Sequence, residues 1–257
     1  MTQFTRRQFL AGLGVGGMSL ITPKYLHDLA KGANLGRIIR VINRGRDDLP
    51  QVSLTFDDCW YEDLTLQIAT VFAEREQKIT FFPAGVAIRA NIDRPTEGHE
   101  NLYTRLYEMG HEFGCHTFTH PDITDLTARR LIWWEIQPWI DVLNEALGFE
   151  YAPVAFRPPY GIVTNELYNA LVRFDMPLVL WSADVGDFSC TPDYCQDELT
   201  ARFNAVAGNG ALLLQHTTAP SVEFVNTQLD ILDELALQNV LLSELLTALN
   251  EGENNDG

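Results

Sequence analysis

The sequence is poor in cysteine and in basic residues, and it has no long uninterrupted apolar segment. Its 257 residues include four cysteines, and none of them lies in a CxxC or Cys/His ribbon pattern, which argues against a structural zinc site built on thiolates. Lysine and arginine number 18 against 35 acidic residues, so the net charge is -17. A surface of that sign argues against nucleic acid as a partner. The hydrophobic fraction of 46% nevertheless provides a large core.

Two of the cysteines lie close together. Cys190 and Cys195 flank a Thr-Pro-Asp-Tyr turn. Such a pair can close a small disulfide loop in an oxidising compartment. The sequence leaves this open, and two free thiols are the interpretation that we favour at this point.

The N-terminal segment has the pattern of an export signal. An apolar, Gly-rich run from Phe9 to Ile21 follows the pair Arg6 and Arg7, and at about 13 residues it is shorter than a bilayer span, which needs about 20. Consecutive arginines before such a run are typical of twin-arginine signals. We therefore predict that residues 1–30 are a twin-arginine-type signal peptide and that the protein is exported to the periplasm, cell envelope or extracellular space. Because no clean A-x-A cleavage site follows, retention as a membrane anchor is the alternative.

Short apolar runs alternate with segments of helical period from Val52 onward, which indicates consecutive parallel βα units. Residues 31–50 are predicted to be a linker with at most one short element, and 248–257 a disordered acidic tail. Seven units over residues 51–247 predict an α/β barrel with fewer strands than the usual eight and no second domain. The predicted strands are Val52–Phe56, Ile79–Phe82, Glu112–Cys115, Val154–Phe156, Leu178–Trp181, Ala211–Gln215 and Val240–Leu242. The predicted helices are 62–76, 99–109, 127–147, 164–173, 196–207, 222–237 and 243–250.

The first predicted strand ends in two adjacent carboxylates, Asp57 and Asp58, within QVSLTFDDCW. Adjacent carboxylates repel each other and lose hydration, so an acidic turn is a poor explanation unless a cation sits between them or one acts as a base. In parallel βα barrels the chemistry gathers at this end of the strands. The pair therefore predicts either a metal site, a general base, or both.

Two histidines follow the third predicted strand in CHTFTH. His116 and His120 are four residues apart, a spacing that places both imidazoles on one face of a helical turn, and Pro121 confines them to a tight loop. One carboxylate and two histidines leave a coordination position for water, which is the composition of a catalytic metal site. An incidental exposed histidine pair is the alternative.

Further polar residues follow the later strands. Arg157 lies in FRPPYG, where two prolines fix the turn and a guanidinium can hold a carboxylate in the ionised form. His216 ends LLLQH, and WSADVGD offers Asp184 and Asp187 as partners. An aspartate that hydrogen-bonds a histidine raises its pKa and suits it to general acid catalysis. The sequence does not decide which aspartate pairs with His216.

In this order, TFDD, HTFTH, FRPPYG, WSADVGD and LLLQH resemble the five motifs of the polysaccharide deacetylases, carbohydrate esterase family 4 with its NodB-homology domain. The resemblance covers about residues 50–246. It implies a distorted (β/α)7 barrel and metal-dependent removal of acetyl groups from N-acetylated or O-acetylated sugars. The implied cofactor is a divalent metal, Zn²⁺ first, with Co²⁺ or Ni²⁺ as alternatives.

The resemblance also implies the role of each residue around the metal. Asp57 would be the general base, and Arg157 would orient it. Asp58, His116 and His120 would be the metal ligands.

The resemblance implies the roles of the remaining site residues in the same way. His216 would be the general acid, tuned by Asp187, and the backbone N–H of Tyr160 would help to hold the oxyanion. Leu214 and Phe188 would line the pocket for the acetyl methyl group.

Two departures from the family pattern bear on the substrate. The family commonly continues its first motif with Gly-Pro, whereas this chain has Cys59 and Trp60, a change expected to narrow the groove and bring Trp60 to the substrate. Phe188 stands where the family often has Trp. The expected function is hydrolysis of acetyl groups on peptidoglycan, a chitin-like glycan or xylan; the alternatives are a non-catalytic glycan-binding barrel and a hydrolase of small amides.

Overall fold

The computed structural model describes residues 39–190 and 195–255, and these residues form one compact unit. The predicted signal segment 1–30 and the first part of the predicted linker lie outside the described residues. Within the described part of the chain, no helix has both the length and the apolar character that a membrane span requires.

The strands are all parallel, and most are short. Six of them form one sheet in the order β4-β3-β2-β7-β6, with β8 also paired to β2, and the other two, β1 and β5, pair with each other. Parallel pairing requires crossover connections, which the helices between the strands supply. The strands are β1 (Val41–Ile42), β2 (Gln51–Asp58), β3 (Thr80–Pro83), β4 (Glu112–Phe113), β5 (Leu178–Val179), β6 (Ala183–Asp184), β7 (Ala211–His216) and β8 (Gln238–Asn239).

Single bridges link the two sheets. Phe156 pairs with Cys115 just beyond β4 on one side and with Leu178 of β5 on the other. From β5 the chain runs directly into β6, which pairs with β7. The strands thus follow one another around a ring that is irregular between β4 and β6, where the predicted strand Val154–Phe156 contributes one bridging residue.

Two further predicted strands differ clearly from the observed ones. The predicted strand Leu178–Trp181 ends early, because β5 stops at Val179, and β6 follows at Ala183–Asp184 as a separate strand that was not predicted and that has its own partner. The predicted strand Val240–Leu242 is wrong by two residues, because the pairing residues are Gln238–Asn239 and Leu242 begins a helix. β1 lies in the predicted linker and pairs with β5, as the one short element expected there.

The helices fill the intervals between the strands, and one of them was not predicted. That helix is α2 (Gly85–Asp93), which begins directly after β3. The segment 128–147 is one continuous helical stretch with a π-helical centre, Leu131–Ile136, and Gly148 ends it in a left-handed conformation with φ 77°. The helices are α1 (Glu62–Glu74), α2 (Gly85–Asp93), α3 (Leu102–Glu108), α4 (Ala128–Arg130), α5 (Gln137–Leu147), α6 (Asn165–Leu171), α7 (Cys195–Val206), α8 (Ala219–Glu234) and α9 (Leu242–Asn255).

The last helix corrects the prediction of a disordered tail. α9 continues to Asn255, so most of 248–257 is helical. Its first turn is fixed to the sheet by buried polar groups. The Leu242 N–H donates to Thr80 Oγ1 at 3.0 Å, and the Ser243 N–H donates to Glu112 Oε1 at 2.9 Å.

β2 is the central strand, and it is buried on both faces, as parallel strands between layers are. Phe56 packs against Phe72 of α1 and Phe81 of β3, with ring centroids 5.8 and 6.0 Å apart. Because side chains alternate along a strand, Thr55 and Asp57 face the opposite side, inside the ring of strands. The strand therefore packs its apolar face against the helices, and its polar face lies inside the ring of strands.

Candidate active site

The end of β2 presents both carboxylates to the same imidazole, that of His116. In a regular strand, Asp57 and Asp58 would point to opposite faces, but Asp58 has a left-handed backbone with φ 75° that breaks the alternation. His116 Nε2 accordingly lies 3.7 Å from Asp57 Oδ2 and 3.5 Å from Asp58 Oδ1. Cys59 is also left-handed, with φ 59°, at the position where the resembling family commonly has glycine, which adopts this conformation without steric cost.

Asp58, His116 and His120 form a three-residue cluster. One ligand atom from each lies within 4.8 Å of the others, and His120 Nε2 is 3.1 Å from Asp58 Oδ1. The Arg157 carbonyl lies 2.8 Å from His116 Nδ1 and accepts a hydrogen bond from the tautomer that is protonated there, which leaves Nε2 as the ligand atom.

The cluster fits a divalent metal ion. Asp58 Oδ1 is buried and has no hydrogen-bond partner, so it is an orphaned acceptor aimed at the space that the two imidazoles share. Burial raises the pKa of Asp58, but its interactions with His116 and His120 outweigh burial and hold the pKa well below its usual range. An ionised carboxylate and two imidazoles are a ligand set suited to zinc and similar ions.

Arg157 is fully buried and holds Asp57. Its Nη1 lies 2.7 Å from Asp57 Oδ1 and donates also to Thr55 Oγ1, while Nη2 donates to the Leu180 carbonyl at 3.0 Å. The guanidinium stacks over the ring of Phe82 at 4.2 Å, an arrangement that favours a buried cation. Asp57, which is 3% exposed, therefore has one charged partner in a fixed position.

His216 pairs with Asp187, which resolves the choice that the sequence left open. His216 Nδ1 lies 3.2 Å from Asp187 Oδ1, and the His216 N–H donates to Asp187 Oδ2 at 2.9 Å. Burial alone would lower the pKa of His216, but the Asp187 carboxylate, aided by Asp57 and Asp58, raises it to about 9. Asp184 is exposed, and its Oδ1 accepts from the Gly186 N–H instead.

Three exposed aromatic side chains surround these groups. Trp60 and Tyr160 both contact His120, with ring centroids 5.8 and 4.9 Å away, and Phe188 lies 5.3 Å from the ring of His216. Leu214, in contrast, is 4% exposed within β7. Tyr160 has a left-handed backbone, φ 58°, in the 3₁₀ turn Pro159–Gly161 that the two prolines of FRPPYG introduce.

The interpretation of Cys190 and Cys195 as two free thiols is wrong. Cys190 and Cys195 form a disulfide that joins the 3₁₀ turn Asp187–Ser189 to the start of α7. The short separation allowed this bond but did not require it. Cys59 and Cys115 are free and buried.

Sequence reasoning missed several residues that support the site. Thr218 Oγ1 and Ser221 Oγ donate to Asp187 Oδ2 at 3.1 and 2.7 Å, and Thr55 donates to the Leu213 carbonyl while it accepts from Arg157. Glu135 contacts the loop between the two clustered histidines. Proximity to the LLLQH motif gave a signal for Thr218, whereas nothing in the local sequence distinguishes Glu135 from a surface residue.

A parallel α/β ring with an Asp-His-His cluster and a separate His–Asp pair at the carboxyl ends of its strands is typical of hydrolases that use a metal ion. The family model for polysaccharide deacetylases matches residues 44–179, more than half of the sequence. The chain therefore belongs to the polysaccharide deacetylase family. The match ends before Asp187 and His216, whose pairing rests on the geometry described above.

Two similar relatives are named as deacetylases. A chitooligosaccharide deacetylase of Sinorhizobium fredii is 28% identical over 219 residues, 83% of this chain and 92% of that protein. A peptidoglycan-N-acetylglucosamine deacetylase of Bacillus cereus is 30% identical over 175 residues, 65% of this chain and 56% of that protein. The chain spans about half the length of several curated relatives, including that one.

The predicted fold class is confirmed. The crystal structure of a carbohydrate esterase family 4 pseudoenzyme from Bacillus anthracis is similar with a TM-score of 0.73 at 23% identity, covering 82% of this chain and 70% of that one. At that identity the similarity concerns the fold alone. It also shows that this fold does not by itself establish catalysis, so function must be argued from the side chains.

Proposed function

We propose that the protein is a metal-dependent deacetylase of a cell-wall or extracellular polysaccharide, acting on N-acetyl (or O-acetyl) groups of peptidoglycan, a chitin-like glycan or xylan. One observation carries the proposal. The Asp58–His116–His120 cluster, an aspartate held by Arg157 and a histidine held by Asp187 all lie at the carboxyl ends of the strands, and Asp57 and His216 are register neighbours on adjacent strands. A glycan-binding barrel would not need this set of groups.

Asp58, His116 and His120 would hold the metal ion, with Zn²⁺ proposed first and Co²⁺ or Ni²⁺ as alternatives. When bound, a divalent ion polarises a carbonyl and lowers the pKa of water toward 7. The orphaned Asp58 Oδ1 and the two Nε2 atoms are the donors that this chain offers.

Asp57 then serves as the general base. It accepts a proton from the water that attacks the acetyl carbonyl carbon, and its ion pair with Arg157 keeps it ionised and oriented for that step. The backbone N–H of Tyr160 donates to the oxyanion that develops on the carbonyl oxygen.

His216 acts as the general acid. It enters the reaction protonated, because Asp187 raises its pKa to about 9, and it donates this proton to the leaving nitrogen or oxygen of the sugar. Leu214 and Phe188 line the acetyl pocket, while Trp60 and Tyr160 offer aromatic faces to the pyranose ring. The products are acetate and the deacetylated sugar.

Export is part of the same proposal. A disulfide between Cys190 and Cys195 suits an oxidising compartment, and the relatives named for peptidoglycan act on a cell-wall polymer. The twin-arginine-type signal and its alternative, retention of the segment as a membrane anchor, stay predictions.

The test is acetate release from acetylated chitooligosaccharides, peptidoglycan and acetylxylan by metal-loaded protein. Asp57→Asn should lower kcat by about 10²- to 10⁴-fold, the usual contribution of a general base. Removal of the metal by a chelator should abolish release, and Zn²⁺ should restore it. Asp141→Asn, an exposed aspartate on α5, is the matched control and should retain full activity. Absence of acetate from all three polymers would refute the proposal.

A further inference from the structure

The loop between His116 and His120 has an unusual backbone. Thr117 and His120 are both left-handed, with φ 66° and 55°, although neither is glycine and Thr117 is β-branched. Such a conformation is strained for a non-glycine residue and persists only where its surroundings hold it. The two imidazoles are therefore brought together by a loop that contacts from outside must stabilise.

One side of this loop is held by the start of α2. The Gly85 N–H donates to the Thr117 carbonyl at 3.0 Å, and the Val86 N–H donates to the Phe118 carbonyl at 2.8 Å. The approach is so close that a Cβ at Gly85 would lie 2.8 Å from Phe118 Cα. These contacts use the loop carbonyls and leave its N–H groups to be satisfied elsewhere.

Glu135 accepts hydrogen bonds from the N–H groups on the other side of the loop. Its Oε2 accepts from the N–H groups of Phe118 and Thr119 at 3.1 and 2.8 Å, and its Oε1 accepts from Thr119 Oγ1 at 2.8 Å. Glu135 is 6% exposed, so water does not compete for these bonds. One buried carboxylate thus receives three hydrogen bonds from the two residues that immediately precede His120.

The π-helical stretch Leu131–Ile136 brings Glu135 to this position. Leu131, Glu135 and Ile136 are buried, whereas Trp133 and Trp134 on the same stretch are 45% and 68% exposed. A π-helix has hydrogen bonds between residues five apart instead of four, is rare and is often found at functional sites. Here it places a carboxylate on the inward face next to the histidine loop.

We propose that Glu135 is a positioning residue for the metal site: by accepting the Phe118 and Thr119 N–H groups, it fixes the strained loop that sets the spacing of His116 and His120. This inference rests on the proposed metal site and deepens it. Groups that orient metal ligands without touching the metal typically contribute 10- to 100-fold to affinity.

The first measurement is metal affinity. We expect Glu135→Ala to weaken Co²⁺ binding by about 10- to 100-fold, measured by competition with a chelating indicator, and to change the Co²⁺ d–d absorption spectrum. Glu135→Gln should restore most of the affinity, because its amide oxygen can still accept from both N–H groups. Glu145→Ala is the matched control: it removes an exposed glutamate of the following helix, α5, that pairs with Arg89, and it should bind Co²⁺ as the wild type does.

The second measurement needs no metal. In the metal-free protein, the Phe118 and Thr119 amides should exchange with deuterium about tenfold faster or more in Glu135→Ala, while amides of the β2–β7 ladder remain unchanged. A folded Glu135→Ala protein with wild-type Co²⁺ affinity, spectrum and exchange would overturn the proposal.

A milder variant covers the case in which Glu135→Ala does not fold. Thr119→Ala removes one of the three hydrogen bonds, and we expect Co²⁺ affinity to fall by about two- to tenfold, the equivalent of one net hydrogen bond. Wild-type Co²⁺ affinity together with wild-type exchange of the Phe118 and Thr119 amides in Thr119→Ala would then overturn the inference. Failure of the wild-type protein itself to bind Co²⁺ would refute the proposed function instead, so the two failures are distinguishable.

Discussion

At the scale of single residues, the site depends on buried charges that each have one dedicated partner. Arg157 is fully buried and is the cation that holds Asp57. Arg157→Met should lower the free energy of unfolding by about 3–5 kcal/mol, since it leaves a buried carboxylate unpaired. Arg157→Lys keeps the charge but loses the planar fork, and should reduce kcat by about 10²-fold through misplacement of Asp57. Urea denaturation and acetate release measure the two effects.

An exposed ion pair is the appropriate comparison. Arg89 pairs with Glu145 at the surface, and Arg89→Lys should change stability by less than about 1 kcal/mol and leave kcat unaltered. Equal losses of stability in Arg157→Met and Arg89→Lys would contradict the assignment of Arg157 as an essential buried partner.

The pair of His216 and Asp187 predicts a pH dependence. The pKa of His216 rises from its ordinary value of 6.5 to about 9, so its charged form stabilises the fold. That contribution is fully present below pH 6.5 and is lost as the pH rises through 9. The metal-free wild type should therefore lose stability between these values, and His216→Gln should not show this loss. The proposed general acid should likewise lose activity at alkaline pH.

Asp187→Asn tests whether the Asp187 carboxylate is what raises the pKa of His216. Without the carboxylate, burial lowers the pKa of His216, so the alkaline limb of kcat/KM should move to lower pH by about one unit or more. His99→Gln, in a loop remote from the pair, should leave the profile unchanged. NMR titration of the His216 imidazole gives the pKa directly, and a value near 6.5 in the wild type would contradict the prediction.

At the scale of elements, the sequence was most informative where strands are long. β2 and β7 were recognised from their apolar runs, and Asp57, Asp58 and His216 follow from where those runs end. The two-residue strands were located less well, because a short buried run does not reveal its hydrogen-bond register. The predicted strands Val154–Phe156 and Val240–Leu242 are the two examples, because their bounds differ from the residues that pair. The π-helix that aims Glu135 was missed because an apolar period of 3.6 residues cannot indicate it.

The segment that carries Asp187 and Phe188 depends on a disulfide. The Cys190–Cys195 bond joins the Asp187–Ser189 turn to α7. Closing so short a loop contributes about 2 kcal/mol on the chain-entropy model, so the double variant Cys190→Ser/Cys195→Ser should be destabilised by that amount. Thiol titration of the denatured, unreduced protein should find two free thiols of four cysteines. Four thiols in protein isolated from an oxidising compartment would disprove the bond.

At the scale of the whole molecule, net charge bears on which glycan is accepted. The chain carries -17, and Asp57, Asp58 and Asp184 lie close enough to His216 to interact with it. Such a surface repels anionic polymers over the screening length, which falls from ~30 Å to ~8 Å between about 0.01 and about 0.15 M salt. For a neutral chitooligosaccharide, kcat/KM should therefore vary by less than about twofold over this range. For peptidoglycan fragments that carry carboxylates, it should rise by about tenfold as repulsion is screened. Neutral and anionic substrates of matched length, measured with the same metal-loaded enzyme, make the comparison. An equal salt response for both would mean that the molecule's charge does not select among glycans, and that selection resides in the aromatic residues Trp60, Tyr160 and Phe188 instead.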